Sequence, residues 1–318
     1  MLSNGLTVAS QDMFGQMSSF ALIASVGSAY ELQDVQNSQI GSTQMMELLA
    51  FRSTHKKTHQ DIMTEIENIG GLVQCISNRE TILYCVDVMR ENIEPAMDIL
   101  ADTILNPRIL EEEIEETKQI IQFQHAEIPP EFLSRDTVQR AAYLNSPLGN
   151  FHYCPLNRIG DITQKQIVNF RDKYIFGQNC MLSGAGIDHD TFVSLAQDKF
   201  RHLPQFSKLR TGDETCNLVL PSKYTGGMIA EQRELKDHFV RVAVGFEIGG
   251  WHDKDLVVVC VLHQLLGGGS SFSAGGPGKG MYTRLYTDVL NRYHWVESAE
   301  AFTSIHEQTG ILGIALKT

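Results

Sequence analysis

The sequence GGGSSFSAGGPGKG, residues 267–280, lies between two patterns that predict helices, at 255–266 and 281–293. Seven of its fourteen residues are glycine, which loses more backbone freedom on folding than any other residue. A flexible linker is one explanation, but linkers usually join domains, and this stretch lies inside one. We therefore interpret it as a binding loop that needs unusual backbone angles or a close approach to a ligand. Its candidate residues are Gly267, Gly268, Gly269, Ser270, Ser271, Phe272, Ser273, Gly275, Gly276, Pro277, Gly278, Lys279 and Gly280.

A phosphate-binding loop matches this stretch poorly. The nucleotide-binding pattern is G-x-x-x-x-G-K-[S/T], placed after a strand and at the start of a helix. Gly278 and Lys279 supply the G-K pair, but Gly280 stands where Ser or Thr should bind magnesium. Ser273 occupies the place of the first glycine, and the preceding pattern predicts a helix rather than a strand.

Length and charge restrict the class of protein. The chain has 318 residues, 42% of them hydrophobic, which predicts two domains with sizeable cores. Its net charge of −12 argues against nucleic acid as a partner and favours basic partners. The acidic run at 111–116 is more typical of a solvated helix start than of a peptide-binding patch. No apolar run approaches the length of a membrane span, so we expect no direct membrane crossing.

The six cysteines, at scattered spacings and without a C-x-x-C pair, predict reduced thiols in a reducing compartment. Cys75 and Cys85 could face one another across a hairpin. A strand pattern at 5–10 opens the chain, with no signal-peptide pattern before it.

The order of elements predicts an α+β fold that contains an internal repeat. Strand patterns at 5–10 and 18–27, a hairpin at 72–76 and 81–88, and a strand at 180–186 alternate with helix patterns at 43–52, 60–69, 91–105, 111–124, 132–144, 163–174 and 191–202. The strand, loop and helix that precede residue 50 recur at 240–267, and two final strands follow at 295–304 and 310–316. We therefore predict an N-terminal domain at 1–205, a linker at 206–228 and a shorter, incomplete second domain at 229–318.

Two stretches resemble one known family. Residues 267–286 resemble the glycine-rich loop of the alpha subunits of mitochondrial processing peptidase, a group of pitrilysin-type metallopeptidases. Residues 41–51, GSTQMMELLAF, are similar to the segment that carries this family's H-x-x-E-H zinc motif. In that alignment the two histidines fall at Gln44 and Leu48, the glutamate at Glu47, and the later glutamate ligand at Gln124.

A zinc centre cannot form from these four residues. Catalytic zinc takes about three ligands from His, Cys, Asp or Glu, whereas Leu48 has no donor atom and Gln44 and Gln124 offer only neutral amides. Glu47 alone cannot act as a general base without an activated water. His55 and His59 have helical spacing, but they lack the zincin glutamate and enclose two lysines. We therefore expect no catalytic residues and no metal in this chain.

The resemblance implies two homologous pitrilysin-type (LuxS/MPP-like) domains, each a mostly antiparallel sheet flanked by helices. It also implies a heterodimer with a zinc-bearing beta subunit, in which the glycine-rich loop binds basic amphipathic presequences. Zinc is then expected in the partner, and the location is the mitochondrial matrix or the matrix side of the inner membrane. The alternative is a structural core subunit of respiratory complex III, alone or with both roles. An independent metallopeptidase would need zinc in the isolated chain.

Overall fold

The computed structural model describes residues 1–31, 38–205, 221–232, 237–270 and 282–318. These residues form two compact units, Met1–Ala126 with His152–Leu218, and Glu127–Phe151 with Val219–Thr318. We call them the N-terminal unit and the C-terminal unit. The strands are β1 Thr7–Gln11, β2 Met17–Ala24, β3 Leu72–Ser77, β4 Ile82–Met89, β5 Cys180–Ala185, β6 Arg241–Gly249, β7 Gly268–Ser270, β8 Ser298–Ile305 and β9 Thr309–Lys317. The helices are α1 Ser42–Leu48, α2 His59–Asn68, α3 Ile93–Leu105, α4 Glu111–Glu127, α5 Pro130–Ala142, α6 Leu156–Ile159, α7 Gln164–Tyr174, α8 His189–Lys199 and α9 Leu256–Leu266.

The N-terminal unit is built on a five-stranded sheet in the order β1-β5-β2-β4-β3. Strand β2 has an antiparallel neighbour on each side, β4 and β5, whereas β1 pairs with β5 in parallel. Alternate side chains of β2 are apolar, so one face of the strand enters the core: Phe20, Leu22 and Ala24 are at most 2% exposed. Helices α3 and α8 pack on this face, and the Phe20 ring lies 6.2 Å from that of Phe192 on α8.

The C-terminal unit contains a four-stranded antiparallel sheet in the order β6-β9-β8-β7. Helix α5 packs on one face of β6 and β9, where Gly245 leaves room for Val138. The other face packs on a π-helical turn, Tyr286–Leu290, through a cluster centred on Ala299 and Val296.

Both sheets contain the same kind of hairpin, and in both the segment that leaves the preceding strand crosses the hairpin turn. In the first hairpin Ser77 pairs with Ile82, and the Asn78 amide donates to Thr81 O. In the second, Ile305 pairs with Gly310, and the His306 amide donates to Thr309 O. Each turn also accepts a bond from the chain leaving the preceding strand, from Ser28 N to Asn78 O and from Trp251 N to His306 O.

Glycine is required at both of these crossings, because a Cβ on Gly27 or Gly250 would lie within 2.4 Å of turn backbone. The strands of the meander β2-β4-β3 therefore correspond to those of β6-β9-β8, whereas the sequence repeat covered only the unit that contains β2 and β6.

Several local predictions need correction. The helix expected at 43–52 ends at Leu48, and only the π-helical turn and the residues just before it are helical within the described part of 281–293. The helix predicted at 163–174 begins at Gln164, after an N-cap at Thr163. Thr163 accepts from the Gln166 amide, but the Gln166 side chain donates to Ile40 O and Ser42 Oγ instead of returning to Thr163.

The hairpin register excludes a Cys75–Cys85 pair. Cys75 lies opposite Tyr84 and Cys85 lies opposite Gln74, so the two cysteines point to opposite faces of the sheet. Five of the six cysteines fall in the described residues, and all five are free thiols. Among the helices of the described ranges, none is long and apolar enough to cross a membrane.

The compact units do not coincide with the predicted segments. Residues 127–151 were placed in the N-terminal domain, but they belong to the C-terminal unit because α5 packs on β6 and β9. Most of the predicted linker, residues 206–220, lies outside the described residues.

Candidate functional site

The four residues of the altered zinc motif are positioned by α1 and α4 in the N-terminal unit. Gln44, Glu47 and Leu48 lie on α1, where spacings of three and four place side chains on one helical face. Gln124 lies near the end of α4. The structure brings Gln44 and Gln124 into direct contact.

Gln44 is held by two hydrogen bonds in a buried position. Its Nε2 donates to Gln124 Oε1 over 2.9 Å, and its Oε1 accepts from the Cys154 amide over 2.8 Å. Gln44 is 4% exposed, so both bonds are shielded from water. The neighbouring His125 donates from Nε2 to Cys154 O over 2.5 Å. The amide of Gln44 therefore joins α1 to α4 and to the backbone at Cys154.

Glu47 is engaged in a structural contact with β3. Its Oε2 accepts hydrogen bonds from the Ser77 amide, over 3.1 Å, and from the Ser77 hydroxyl. Burial raises the pKa of Glu47, while the bonds from Ser77 oppose that rise. The carboxylate thus ties the helix to the end of a sheet strand.

These residues do not fit zinc. The four positions hold a half-buried leucine without a donor atom, two neutral amides that bond to each other, and a carboxylate that accepts from Ser77. Within the described ranges, no three His, Cys, Asp or Glu side chains converge on a possible metal position. His59 Nδ1 lies 3.0 Å from Phe51 O, and His59 starts α2, so the His55–His59 pair does not share a turn of one helix.

A buried carboxyl group that sequence reasoning missed fixes the start of α1. Glu31 is 6% exposed and accepts from the amides of Gly41, over 2.9 Å, and Thr43, over 2.8 Å. Burial raises its pKa to about 7, although both amide bonds favour the charged form. Nothing in the local sequence marks Glu31 as buried, because its two donors, Gly41 and Thr43, lie 10 and 12 residues further along the chain.

The wild type should lose folding stability as the pH rises through 7, and the Glu31→Gln variant should lack this loss. Because the folded pKa of about 7 exceeds the ordinary value of 4.5, the folded chain holds the proton more tightly than the unfolded chain. Its contribution is fully present below about pH 4.5 and is lost as the pH rises through 7, by about 3 kcal/mol in all. The free energy of urea unfolding, measured by circular dichroism at about pH 5 and about pH 8, should fall less in E31Q than in the wild type.

The exposed Glu67→Gln on α2 is the matched control and should keep the wild-type slope. The variant also loses one acceptor oxygen, which changes the free energy of unfolding by the same amount at both pH values. Only the difference between the two pH values therefore tests the role of the carboxyl group. Parallel slopes for wild type and E31Q would contradict the assignment.

Only the first part of the candidate binding loop lies in the described residues. Gly267 ends α9 with φ 54°, and Gly268 enters β7 with φ 129°. A Cβ on Gly267 would lie 2.3 Å from Thr283 Cγ2, and one on Gly268 would lie 2.1 Å from Ala299 O. These two positions require glycine, as the sequence predicted for the loop. Residues 271–280 lie outside the described part of the chain, so their binding role stays a prediction.

Two family models together match almost all of the chain. The model described as insulinase, peptidase family M16, matches residues 7–156, and the model described as the peptidase M16 inactive domain matches residues 161–318. A crystal structure of a protease from Helicobacter pylori superposes with a TM-score of 0.82 over 99% of this chain and 73% of that protein, at 17% identity. Together with the two family models, this likeness confirms the predicted fold of two pitrilysin-type domains rich in antiparallel sheet.

Curated relatives carry the name that the sequence resemblance suggested. Subunit alpha of the mitochondrial-processing peptidase of Pongo abelii is 32% identical over 98% of this chain and 61% of its own length. The corresponding subunit of Solanum tuberosum is 34% identical over 98% of this chain and 60% of its own length. The chain thus spans about three fifths of the length of these relatives. Together with the two family models, they show that the chain belongs to peptidase family M16.

Proposed function

We propose that this chain is the non-catalytic alpha subunit of a mitochondrial processing peptidase, which binds N-terminal presequences for cleavage by a zinc-bearing beta subunit. The observation that carries the proposal is the buried hydrogen bond between Gln44 and Gln124. It joins the two helices that would present metal ligands, and its neutral amides stand where a zinc centre needs anionic or imidazole donors. The chain therefore keeps the two helices that would position a zinc site but lacks the side chains that would bind the metal.

The partners follow from charge and from the relatives. A net charge of −12 attracts a basic amphipathic presequence over distances set by the ionic strength. The relatives are named as subunits of a mitochondrial peptidase, which supports a second subunit and a mitochondrial location, in the matrix or on the matrix side of the inner membrane. Zinc then belongs to the beta subunit, and the glycine-rich loop, residues 267–280, contacts the presequence.

Deletion of residues 271–280 should lower presequence cleavage by the native assembly at least about tenfold, because a contact made in the bound state is lost. Starting the deletion after β7 leaves the pairing of Gly268–Ser270 with β8 in place. The measurement is kcat/KM for a fluorescent presequence peptide, with zinc content and subunit stoichiometry determined on the same preparation.

The matched control replaces residues 271–280 by a glycine–serine segment of equal length, which removes Phe272, Pro277 and Lys279 but keeps the chain length. Loss of turnover in both variants assigns the effect to loop side chains, and loss only in the deletion assigns it to loop length. Unchanged turnover in both would overturn the loop's role. Copurification with respiratory subunits, without presequence cleavage, would favour a structural role in complex III.

A further inference from the structure

A π-helical turn, Tyr286–Leu290, follows shortly after the glycine-rich loop. The bond that defines it runs from the Asn291 amide to Tyr286 O over 3.0 Å, between residues five apart in the chain. An α-helix joins residues four apart, so this turn holds one residue more than an α-helical turn between the same two bonding groups. Isolated π turns are rare and occur frequently at functional sites. The extra residue therefore points to a function for this turn.

The chain on either side of the turn makes ordinary α-helical bonds. On the N-terminal side the Thr287 amide donates to Thr283 O, and on the C-terminal side the Tyr293 amide donates to Val289 O, each over 2.9 Å. Each residue of an α-helix rotates the chain by about 100° and advances it by about 1.5 Å. One extra residue in the turn therefore changes the direction in which the residues before it point, relative to those after it.

Buried side chains hold the turn on the sheet of the C-terminal unit. Leu285, Tyr286 and Leu290 are at most 9% exposed, and they pack in one cluster with Val296 and Ala299. Because these side chains are held in the core, the hydrogen-bond pattern of the turn determines where the residues just before it lie.

The residue that the turn positions is Thr283, which lies against Gly267. A Cβ on Gly267 would lie 2.3 Å from Thr283 Cγ2 and 2.8 Å from its Oγ1, so the Thr283 side chain covers the Gly267 backbone directly. Thr287 holds Thr283 from the other side, because its amide and its hydroxyl both donate to Thr283 O, the hydroxyl over 3.1 Å. Gly267 begins the glycine-rich loop and Thr283 follows its last residue closely, so their contact joins the two ends of the loop.

Gly267 is itself fixed to the fold of the C-terminal unit. Its amide donates to His263 O at the end of α9 over 2.8 Å, and its carbonyl accepts from the Ala301 amide of β8 over 2.8 Å. The His263 ring also contacts this strand, with Nε2 3.1 Å from Ala301 O. One end of the loop is thus tied to a helix and a strand, whereas the position of the other end depends on the π turn.

We propose that the π turn Tyr286–Leu290 is a positioning device for the glycine-rich loop. Its extra residue directs Thr283 onto Gly267 and so holds the two ends of the loop together in the arrangement that binds a peptide. An α-helical turn would rotate Thr283 by about 100° around the helix axis and separate the two ends. The consequence for presequence binding rests on the proposed function, whereas the joining of the loop ends depends only on the turn.

Deletion of Asp288 converts the π turn into an α-helical one. It places Asn291 four residues after Tyr286, so the same amide and carbonyl then have α-helical spacing. Leu285 and Tyr286 then precede Leu290 by four and three residues, spacings that keep these side chains on one helical face. The core cluster therefore keeps its three contributors while the residues before the turn change direction.

Native-state hydrogen exchange in the free chain measures whether the loop ends separate. The Ala301 amide, which donates to Gly267 O, should exchange at least about tenfold faster in the Asp288 deletion than in the wild type. The Phe302 amide, which faces β9 on the other side of the strand, should keep its wild-type rate. Circular dichroism confirms that the variant is folded. Unchanged protection of Ala301 in the folded variant would overturn the proposal.

Thr283→Ala tests the same contact without changing the length of the chain, and it decides the question if the deletion does not fold. It removes the two side-chain atoms that lie over Gly267 and leaves the π turn in place. Exchange at Ala301 should become faster, as in the deletion, and the double variant should show no further increase, because both changes remove one contact. Additive effects would show that the turn does not act through Thr283, and the proposal would fail.

In the native assembly, deletion of Asp288 should lower kcat/KM for a fluorescent presequence peptide at least about tenfold. The matched control is Arg292→Ala, which breaks the 3.2 Å ion pair with Asp288 but keeps the turn, and it should retain wild-type turnover. Wild-type turnover in a deletion variant whose loop ends have separated would overturn the positioning role. If even the wild-type assembly cleaves no presequence, the proposed function fails, and exchange at Ala301 still decides whether the turn joins the loop ends.

Discussion

Replacing Gln44 and Leu48 by His and Gln124 by Glu should give the chain one bound zinc ion with a Kd on the order of micromolar or lower, where the wild type binds none. The geometry favours this result. Gln44 and Gln124 already touch through side-chain atoms 2.9 Å apart, and residue 48 lies one helical turn beyond residue 44 on the same face. Three charged or imidazole donors would then converge, as catalytic zinc requires.

Metal content by mass spectrometry, after dialysis against zinc and removal of free ion, gives the stoichiometry. The matched control carries Q44H and Q124E with Leu48→Ala, which keeps two ligands and removes the third. It should bind zinc at least about a hundredfold more weakly. A triple variant that keeps the wild-type circular dichroism but holds no zinc would contradict the placement of the motif. Because zinc binding is measured directly, the result does not depend on peptidase activity.

Leu22→Ala should destabilise the N-terminal unit by about 2–5 kcal/mol, whereas Phe246→Ala should change the stability of the free chain by less than about 1 kcal/mol. Leu22 is fully buried beneath α3 and α8, so its truncation leaves a cavity. Phe246 occupies the corresponding rung of the second sheet, but it is 61% exposed and has little packing to lose. The two expected changes in stability differ because helices cover Leu22 and leave Phe246 exposed, and not because one residue is aliphatic and the other aromatic.

Native-state hydrogen exchange resolves the two units separately, because peptides from β2 and β4 report on one and peptides from β6 and β9 on the other. Both tryptophans, Trp251 and Trp295, lie in the C-terminal unit, so their fluorescence follows that unit alone. A large loss of stability in free F246A would show that the face is already packed.

The sequence predicted the α+β fold class from local spacing, whereas the resemblance to a known family located the altered motif. Helical periodicity places Gln44, Glu47 and Leu48 on one face, and the hairpin at 72–88 follows from strand patterns on both sides of a turn. Glu31 could not be found this way, since its bonds to the Gly41 and Thr43 amides span 10 and 12 residues and follow no helix or strand period. Cys75 and Cys85 fail to face one another because the pairing of β3 with β4 is offset by one residue from the one that would join them. Composition does not set this register.

Helix α5 shows the same limit at a larger scale. Its sequence predicts a helix, but only the tertiary structure shows which sheet it packs on. Helix α9 shows the reverse case. Nine of its eleven residues are apolar, a composition typical of a buried helix, yet none of them is buried.

The crossing of residues 127–151 into the C-terminal unit has a consequence for synthesis on the ribosome. Helix α5 leaves the exit tunnel well before β6 and β9, the strands on which it packs. Until they follow, side chains such as Leu133 and Val138 have no partner within their own unit, and such exposed apolar segments are what chaperones bind. The C-terminal unit therefore cannot mature as an autonomous late module, and its folding depends on a helix encoded inside the N-terminal half.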